Sequence, residues 1–392
     1  MEFRVDDETR KRIEAARELG ERELRPAGLE ADRNGAPLPV GHAFFDRCIE
    51  RGDGRTRWPG PNPPKSSGSE GRPSVLTTLL VAEELAYWDR GVINAMPGPG
   101  LPEGNVLSIG TDAQKERYLG PFVSPEKPRW ACFAMTEPGA GSDAAAIQTL
   151  ARKDGDGWLL NGAKCFIGGA SRSDWILVQA TIDPEKGRSA QRAFFVEQDT
   201  PGLGGFKIEK KMGLKAYEST SFTLDDVRVP AENLLGGEER YQSSAGFKTA
   251  MRTFNAGRPV IAANAVGMAR AALDEAIRFA REHDLLGRDR VRDRIEAMSR
   301  MVRKSRLVCL RAGWLAEQER PNIVEASMSK ALAAQIAQQA TGLGLELVGT
   351  VGARGDHLIE KLYRDVKAMD IVEGTGQIQR MIIARSMVGL PR

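Results

Sequence analysis

Histidine and cysteine are scarce in this sequence, three and four residues in 392, and their scarcity closes off several kinds of chemistry. His42, His283 and His357 are too few and too scattered for a structural or catalytic zinc site, and a Ser-His-Asp triad would need one of them in the right place. Cys48, Cys132, Cys165 and Cys309 show no CxxC spacing, which suits free thiols in a reducing cytoplasm. No stretch approaches the roughly 18 apolar residues of a membrane span. The opening "MEFRVDDETRKRIEAARELGERELRP" mixes acids with bases and has no apolar core, so it reads as a mature helix and as neither signal nor transit peptide. Neither sign of charge dominates: 56 basic against 53 acidic residues, net +3, create no field suited to nucleic acid, so a small-molecule partner is expected.

What is present is a large apolar content, 41% with only 6% aromatics, enough for a sizeable core divided over two or three domains. Residues 1–126 read as a helical domain: an amphipathic opening, a short helix near Phe44 to Glu50, and "VLTTLLVAEELAYWD" from Val75 to Asp89. Between the last two, "RGDGRTRWPGPNPPKSSGSEGRPS" has no periodicity and reads as a mobile loop. From Trp130 the period becomes two. "GWLLNGAKCFIGG" holds apolar runs on either side of Asn161-Gly162, a strong hairpin signal, and "DWILVQATI", "RAFFVEQ" and "TSFTLDDVRVP" continue as strands. Residues 127–237 are therefore a small β-domain. Helical spacing then returns: Ile261, Ala265, Met268, Ala272, Ala276 and Phe279 share one face, as do Met328, Leu332, Ile336, Leu343 and Leu347. Short links such as "GRDR" and "ERPN" make residues 238–392 an antiparallel four-helix bundle, and the whole an α+β chain in the order helical, β, helical.

Three stretches can carry chemistry. In "FAMTEPGAGSDAAA", Gly139 and Gly141 would let backbone N–H groups approach a ligand while Thr136 and Ser142 add hydroxyls; the plain alternative is a solvent loop. "KCFIGGA" brings Phe166 and two glycines, the aromatic serving either as core or as a platform beside a planar cofactor. "DIVEGTGQIQR" is the most informative. Gly374 and Thr375 can begin the last helix, whose free N–H groups would face whatever lies beside Glu373. With Ile371 and Val372 beside it, Glu373 is expected to be desolvated, and its pKa raised toward that of a base working near neutral pH; the alternative is an exposed capping acid.

Together, "MTEPGAGSD", "KMGLKAYESTSFTLDDVRVPAENLLG", "RPVIAANAVGMARAALDEA" and "IVEGTGQIQR" resemble, in order, the signatures of the acyl-CoA dehydrogenase family, and the helix–β–helix order over the whole chain agrees. The resemblance implies FAD between the β-domain and the bundle, in a homotetramer whose neighbouring subunit contributes to the site. It implies that Phe133, Met135, Thr136, Gly141 and Ser142 line the flavin, that Phe166, Ile167 and Gly168 lie against it, and that Thr375 and Gln377 approach its far end. His283, Glu346 and Gly349 match positions that reach a neighbouring subunit's flavin. Ser142, Asn255, Arg258 and Gly374 are carried over to the substrate side, Asn255 to Arg258 matching a pantetheine-binding segment. Glu373 is then the base that takes the α-proton of an acyl thioester while hydride leaves the β-carbon for flavin N5, the placement found in medium-chain-type members. Its own N–H, with a flavin ribityl hydroxyl, would hold the thioester oxygen, and an oxyanion donor is worth roughly 3 kcal/mol. The thioester is carried by CoA or an acyl-carrier protein, and the electrons pass to an acceptor such as an electron-transfer flavoprotein.

The sequence departs from the family's pattern in several places. Gly168 stands where members usually bond flavin N5 through Ser or Thr, leaving that hydroxyl missing, and Phe166 replaces a common Trp. His283 and Leu286 stand for an Arg and a Phe. Glu346 replaces a Gln, bringing a charge that would be unfavourable beside a pyrophosphate unless offset, and Asn255 replaces an Asp. Val372 stands where fatty-acyl relatives often have Tyr, and "NAMPGPGLPEG" adds two Pro-Gly pairs to the matching pocket wall, which implies a short, branched or cyclic acyl group. Two other readings remain open on this fold: a flavin monooxygenase or oxidase, and a flavin-free scaffold.

Overall fold

The computed structural model describes residues 5–61, 73–242 and 245–390, with 242 and 245–256 given by backbone alone. Residues 62–72 of the Pro/Gly/Ser-rich loop thus lie outside the described ones. Asp6 opens α1 (Asp7–Leu19), its carboxylate accepting the Thr9 N–H at 2.7 Å. Next come α2 (Arg25–Asn34), closed by left-handed Gly35, and α3 (Ala43–Arg51). They are followed by α4 (Val75–Ala95), α5 (Pro102–Ile109) and α6 (Asp112–Leu119). The apolar run of α4 reaches Asp89, and there the helix breaks: Asp89 is extended (φ −163°, ψ 108°) and its Oδ1 accepts the Val92 N–H at 2.9 Å, restarting the helix.

Seven strands form one sheet: β1 (Ala131–Ala134), β2 (Leu150–Asp154), β3 (Gly157–Gly168), β4 (Trp175–Thr181), β5 (Gln191–Glu197), β6 (Leu203–Ile208) and β7 (Ser219–Pro230). Their order is β1-β4-β2-β3-β7-β6, with β5 paired to β4. The hairpin expected at Asn161-Gly162 is not there. β3 runs straight through it, and the chain turns instead between Asp154 and Gly157, where Gly155 takes φ 58°. Asn161-Gly162 forms an irregularity in the β3–β7 ladder: the Asn161 amide exchanges two hydrogen bonds with Asp226, and a side chain at 162 would strike Thr149. Cross-strand partners outweighed the local turn preference.

The C-terminal part contains α7 (Ala245–Glu282), α8 (Asp289–Glu317), α9 (Ile323–Val348), α10 (Leu358–Asp365) and α11 (Gly376–Met387). The first three are long, and α11 lies on α9 as the fourth member. The face expected on α7 is buried from Ile261 to Phe279. On α9 the expected face is only partly inside. Ile336 is buried, but Met328 is 37% exposed and lines, with Leu332, Val308, Arg380 and Ile383, a surface groove. α9 turns Ala326, Ala333, Ala337 and Ala340 inward, because small residues permit close approach to α7 and push larger ones to the flanks. All four cysteines are buried and free, and no described helix is long and apolar enough to cross a membrane.

Candidate active site

Glu373 sits in the turn that enters α11. It has φ 54° and Gly374 has φ 90°, two consecutive left-handed residues, and for a non-glycine this conformation costs about 1–3 kcal/mol unless its surroundings impose it. The surroundings do so. Lys330 of α9 donates from Nζ to the Gly374 carbonyl at 2.6 Å, and Gln379 of α11 donates to the same oxygen at 3.0 Å. Thr375 caps α11, its hydroxyl accepting the Ile378 N–H at 3.4 Å, so one of the N–H groups expected to stay free is used in capping. The Glu373 N–H has no backbone acceptor among the described residues.

Desolvation of Glu373 does not come from its chain neighbours. Ile371 and Val372 are 65% and 37% exposed. It comes from α7, which passes the carboxylate at Gly257: a Cβ there would lie 2.5 Å from Glu373 Oε2. Burial raises the Glu373 pKa, opposed by the positive charges of Arg90, Lys330 and Arg258 in that order. Arg258 is itself buried, with Nη1 3.4 Å from Ser327 Oγ and its Nε–H unpartnered. Burial also pulls the Lys330 amine down to about 8, against the pull of Asp370 and Glu373. Gly257→Val is expected to displace the carboxylate by about an ångström and lower kcat about 100-fold with the helical circular dichroism unchanged. Stopped-flow flavin reduction would reveal a wild-type rate if Gly257 were only incidental.

The Gly-rich loop and the Phe166 stretch, whose proximity spacing alone could not reveal, are tied together. Lys164 of β3 is fully buried and donates to Glu137 Oε1 (2.7 Å), the Met135 carbonyl (3.1 Å) and the Gln179 carbonyl (2.6 Å), while Cys165 N–H bonds the Thr136 carbonyl at 3.0 Å. Glu137 in turn accepts the N–H groups of Gln148 and Thr149. The loop is therefore a braced element. Beside it the β3–β7 ladder shifts register between Lys164 and Ile167, and Phe166 is thrown outward, 69% exposed with φ 57°. An exposed ring on a braced bulge suits a planar isoalloxazine, and the space beyond the α-carbons of Gly139 and Gly141 is open, so these residues fit FAD. Phe133 and Thr136 are half-buried and Ser142 is exposed on the same loop system.

The volume that a side chain at position 168 would fill is taken from elsewhere. A Cβ on Gly168 would fall 1.2 Å from the hydroxyl oxygen of Tyr217, so a phenol occupies the volume of the absent side chain. Burial pushes the Tyr217 pKa up to about 12, and Arg90 and Glu373 both lie within Coulombic reach of it. Tyr217 thus links the cofactor-side residues of β3 to Glu373. Gly168→Ser is expected to clash with it and lower FAD retention at least about 10-fold, and Tyr217→Ala in the same chain to restore it. The ratio of flavin to protein absorbance measures both, and a Gly168→Ser protein as yellow as the parent would refute the exchange.

Other expected residues lie elsewhere. Ile167 is buried in the β-domain core, so only its backbone can meet a cofactor. Gln377 is exposed in the first turn of α11. His283 is exposed at the end of α7 against Phe279, about 39 Å along the helix from Gly257 at about 1.5 Å per residue. Glu346 and Gly349 are exposed at the far end of α9 from Lys330. Within one chain these three do not meet Glu373. The Glu346 charge is offset by Arg294 at 2.8 Å. The Asn255 side chain lies outside the described residues. Sequence reading missed Arg90, Tyr217, Gly257, Lys330 and Gln379. The charges in "WDRGV" and the solitary lysine of "EASMSKALAA" were visible signals, whereas Gly257, inside the segment matched to pantetheine, had nothing to mark it as the neighbour of Glu373.

A carboxylate of raised proton affinity, in a chain that also presents an exposed aromatic platform fit for a planar redox cofactor, is the equipment of an oxidoreductase that takes hydrogen from carbon. The chain belongs to the acyl-CoA dehydrogenase family: the family's N-terminal, middle and C-terminal domain models match residues 6–126, 132–227 and 244–388. It is 34% identical to the 3-(aryl)acrylate reductase of Clostridium sporogenes over 381 residues, covering 95% of this chain and 96% of that one. It is 31% identical over 405 residues to the short-chain specific acyl-CoA dehydrogenase of Megasphaera elsdenii, covering 99% and 100%. The solved butyryl-CoA dehydrogenase of that organism superposes with a TM-score of 0.84 at 30% identity, covering 99% and 100% of the two chains. The protein is an FAD-dependent oxidoreductase of acyl-CoA thioesters.

Proposed function

We propose that Glu373 is the base of an α,β-dehydrogenation that converts a short acyl-CoA to its trans-2-enoyl thioester. The observation that supports this most is a left-handed, desolvated carboxylate held over a glycine of α7 and ringed by three cationic side chains. Bound FAD would lie against Phe166 and the braced loop of Met135, Thr136, Gly141 and Ser142, and supplies the two-electron acceptor for the hydride leaving the β-carbon. Glu373 takes the α-proton on its carboxylate. Its backbone N–H, which has no backbone acceptor among the described residues, donates to the thioester oxygen as charge gathers there. Lys330 and Gln379 fix that N–H and carboxylate relative to one another by clamping Gly374. Burial keeps the base's proton affinity up and water out, and the cations keep it from rising so far that the acid would stay protonated.

The short acyl group is supported by the butyryl and short-chain relatives and by Val372 in place of a bulkier residue. We assign the substrate side to Ser142, Asn255, Arg258 and Gly374, with the segment from Asn255 to Arg258 on the pantetheine. A tetramer would place His283, Glu346 and Gly349 at a neighbour's cofactor, and exposed apolar residues such as Leu307 (57%) and Met381 (48%) support such assembly. The electrons would pass to an electron-transfer flavoprotein in the cytoplasm. The test is anaerobic titration of the yellow protein with butyryl-CoA: loss of the absorbance near ~450 nm is expected. Retention of that band with consumption of oxygen and no enoyl product would point to oxidase chemistry instead.

A further inference from the structure

Gln379 and Lys330 both donate to the Gly374 carbonyl, yet they are unequal donors. Gln379 is neutral and belongs to α11, the helix that the turn opens. Lys330 is the single cation of α9 and is fully buried among small residues, with Ala326, Ser327, Ala333 and Ala334 around it. A buried ammonium costs far more to desolvate than an amide, and a second amide could close the same hydrogen bond. Keeping a cation there calls for something that a neutral donor does not supply.

The surroundings of the ammonium show what that is. Its hydrogen bond goes to a carbonyl, 2.6 Å away, and not to a carboxylate. The charges that act on it are Asp370, just before the turn, Glu373 within it, and Arg258 of α7, whose positive sign opposes the other two. From α11 it meets Gln379, which is uncharged, and among the described residues α8 and α10 bring it no charge. Lys330 is also one of the three cations that restrain the proton affinity of Glu373, with Arg90 and Arg258. Of these three it is the one bonded to the left-handed turn. A charge-assisted hydrogen bond is roughly twice as strong as a neutral one. The charge thus acts twice at the same place: it tightens the hold on Gly374, and it favours the ionised form of the carboxyl next to it.

We propose that Lys330 is a positioning residue whose positive charge, and not its hydrogen bond alone, holds Glu373 in its working place through the Gly374 carbonyl, so that full turnover requires Lys330 in its protonated form. This rests on the reading of Glu373 as the base and adds the condition under which that base works. The consequence is a second limb in the pH profile. Burial pulls the Lys330 amine down to about 8. Below that pH the cation is present and the turn is held by a charge-assisted bond; above it only neutral donors remain on the Gly374 carbonyl. Activity therefore rises as Glu373 deprotonates and falls again as Lys330 does.

The experiment follows flavin reduction by butyryl-CoA in the FAD-loaded protein from about pH 6 to about pH 10. The wild type is expected to show both limbs, the alkaline one near pH 8. Lys330→Gln keeps a donor without the charge: its limiting rate should fall about 30-fold while the half-saturating thioester concentration changes less than about 3-fold. Its alkaline limb should vanish and its acidic limb move to higher pH. Lys330→Arg, whose cation does not titrate in this range, should stay within about 10-fold of the parent and keep its plateau where the parent declines. Lys164 and Lys211 are also pulled down to about 8, so an alkaline limb that survives in Lys330→Gln belongs to one of them and overturns the proposal. A wild type with no decline near pH 8 overturns it too, and that result needs no variant to fold. Either failure leaves the base assignment standing. Unimpaired turnover of Glu373→Gln would overturn the base assignment itself, and the role of Lys330 with it.

Discussion

Glu373→Gln is expected to yield a folded, yellow protein whose turnover is lower by about 10⁴-fold, the upper range for loss of a general base. Glutamine has the shape of the acid, so the contacts that impose the left-handed turn survive: Lys330 and Gln379 hold the carbonyl of Gly374, and the Glu373 carboxylate makes none of those bonds. What disappears is the proton acceptor. Wash-out of α-deuterium from a labelled thioester should stop in step with flavin bleaching, and exchange at the wild-type rate would end the assignment. The pH profile carries a further signature. Because burial raises the Glu373 pKa, the acidic limb of kcat/KM should lie above the ordinary carboxylate range, with activity rising as the group deprotonates. Arg90 supplies the largest opposing charge, so Arg90→Met should move that limb to still higher pH. A limb that stays in place would show that the two groups are not coupled.

The second large effect is on stability. Lys361→Met is expected to cost about 3–5 kcal/mol, the usual result of removing one member of a buried ion pair. Lys361 is 4% exposed between Asp89 and Asp365, and without it two buried carboxylates face each other with no counter-ion. The Asp365 pKa is already raised by burial, and by the charge of Asp89, against the pull of Lys361. A carboxyl whose folded pKa lies above its unfolded value loses folding free energy as pH rises through the ordinary aspartate range. The deficit of the variant should accordingly be full at neutral pH and narrow as the pH falls toward that range. Denaturant titration of the FAD-loaded proteins at several pH values measures it; a deficit under about 1 kcal/mol at neutral pH would mean that the triad is not the anchor of the α4 break.

Much of the candidate site could be proposed before any fold was known, because it lies in short contiguous stretches. Glu373, Gly374 and Thr375 are adjacent, as are Thr136 to Ser142, and backbone approach, hydroxyls and a lone acid can be judged from neighbours in the chain. The errors arose where the deciding partner was remote. Ile371 and Val372 seemed to dry Glu373, yet both face outward, and the drying surface is α7 at Gly257. Asn161-Gly162 has the chemistry of a turn, but hydrogen bonds to Asp226 keep it within a strand. Gly168 looked like the loss of a hydroxyl, and only superposing β3 on the segment before β7 brings the Tyr217 phenol into that volume.

From its residues alone, then, this chain determined an α+β order of helices, sheet and bundle, a flavoprotein family, and the acid at the entry to the last helix, since all of these follow from local pattern and contiguous motif. Tertiary structure alone decided how dry that acid is, which cations balance it, that the Tyr217 hydroxyl lies beside Gly168, and that Arg90, whose buried Nε–H has no acceptor among the described residues, stands within Coulombic reach of Glu373. The reason is physical: burial and Coulomb energies depend on distances between side chains far apart along the chain, and those distances come into being only when α4, α7, α9 and the sheet have packed.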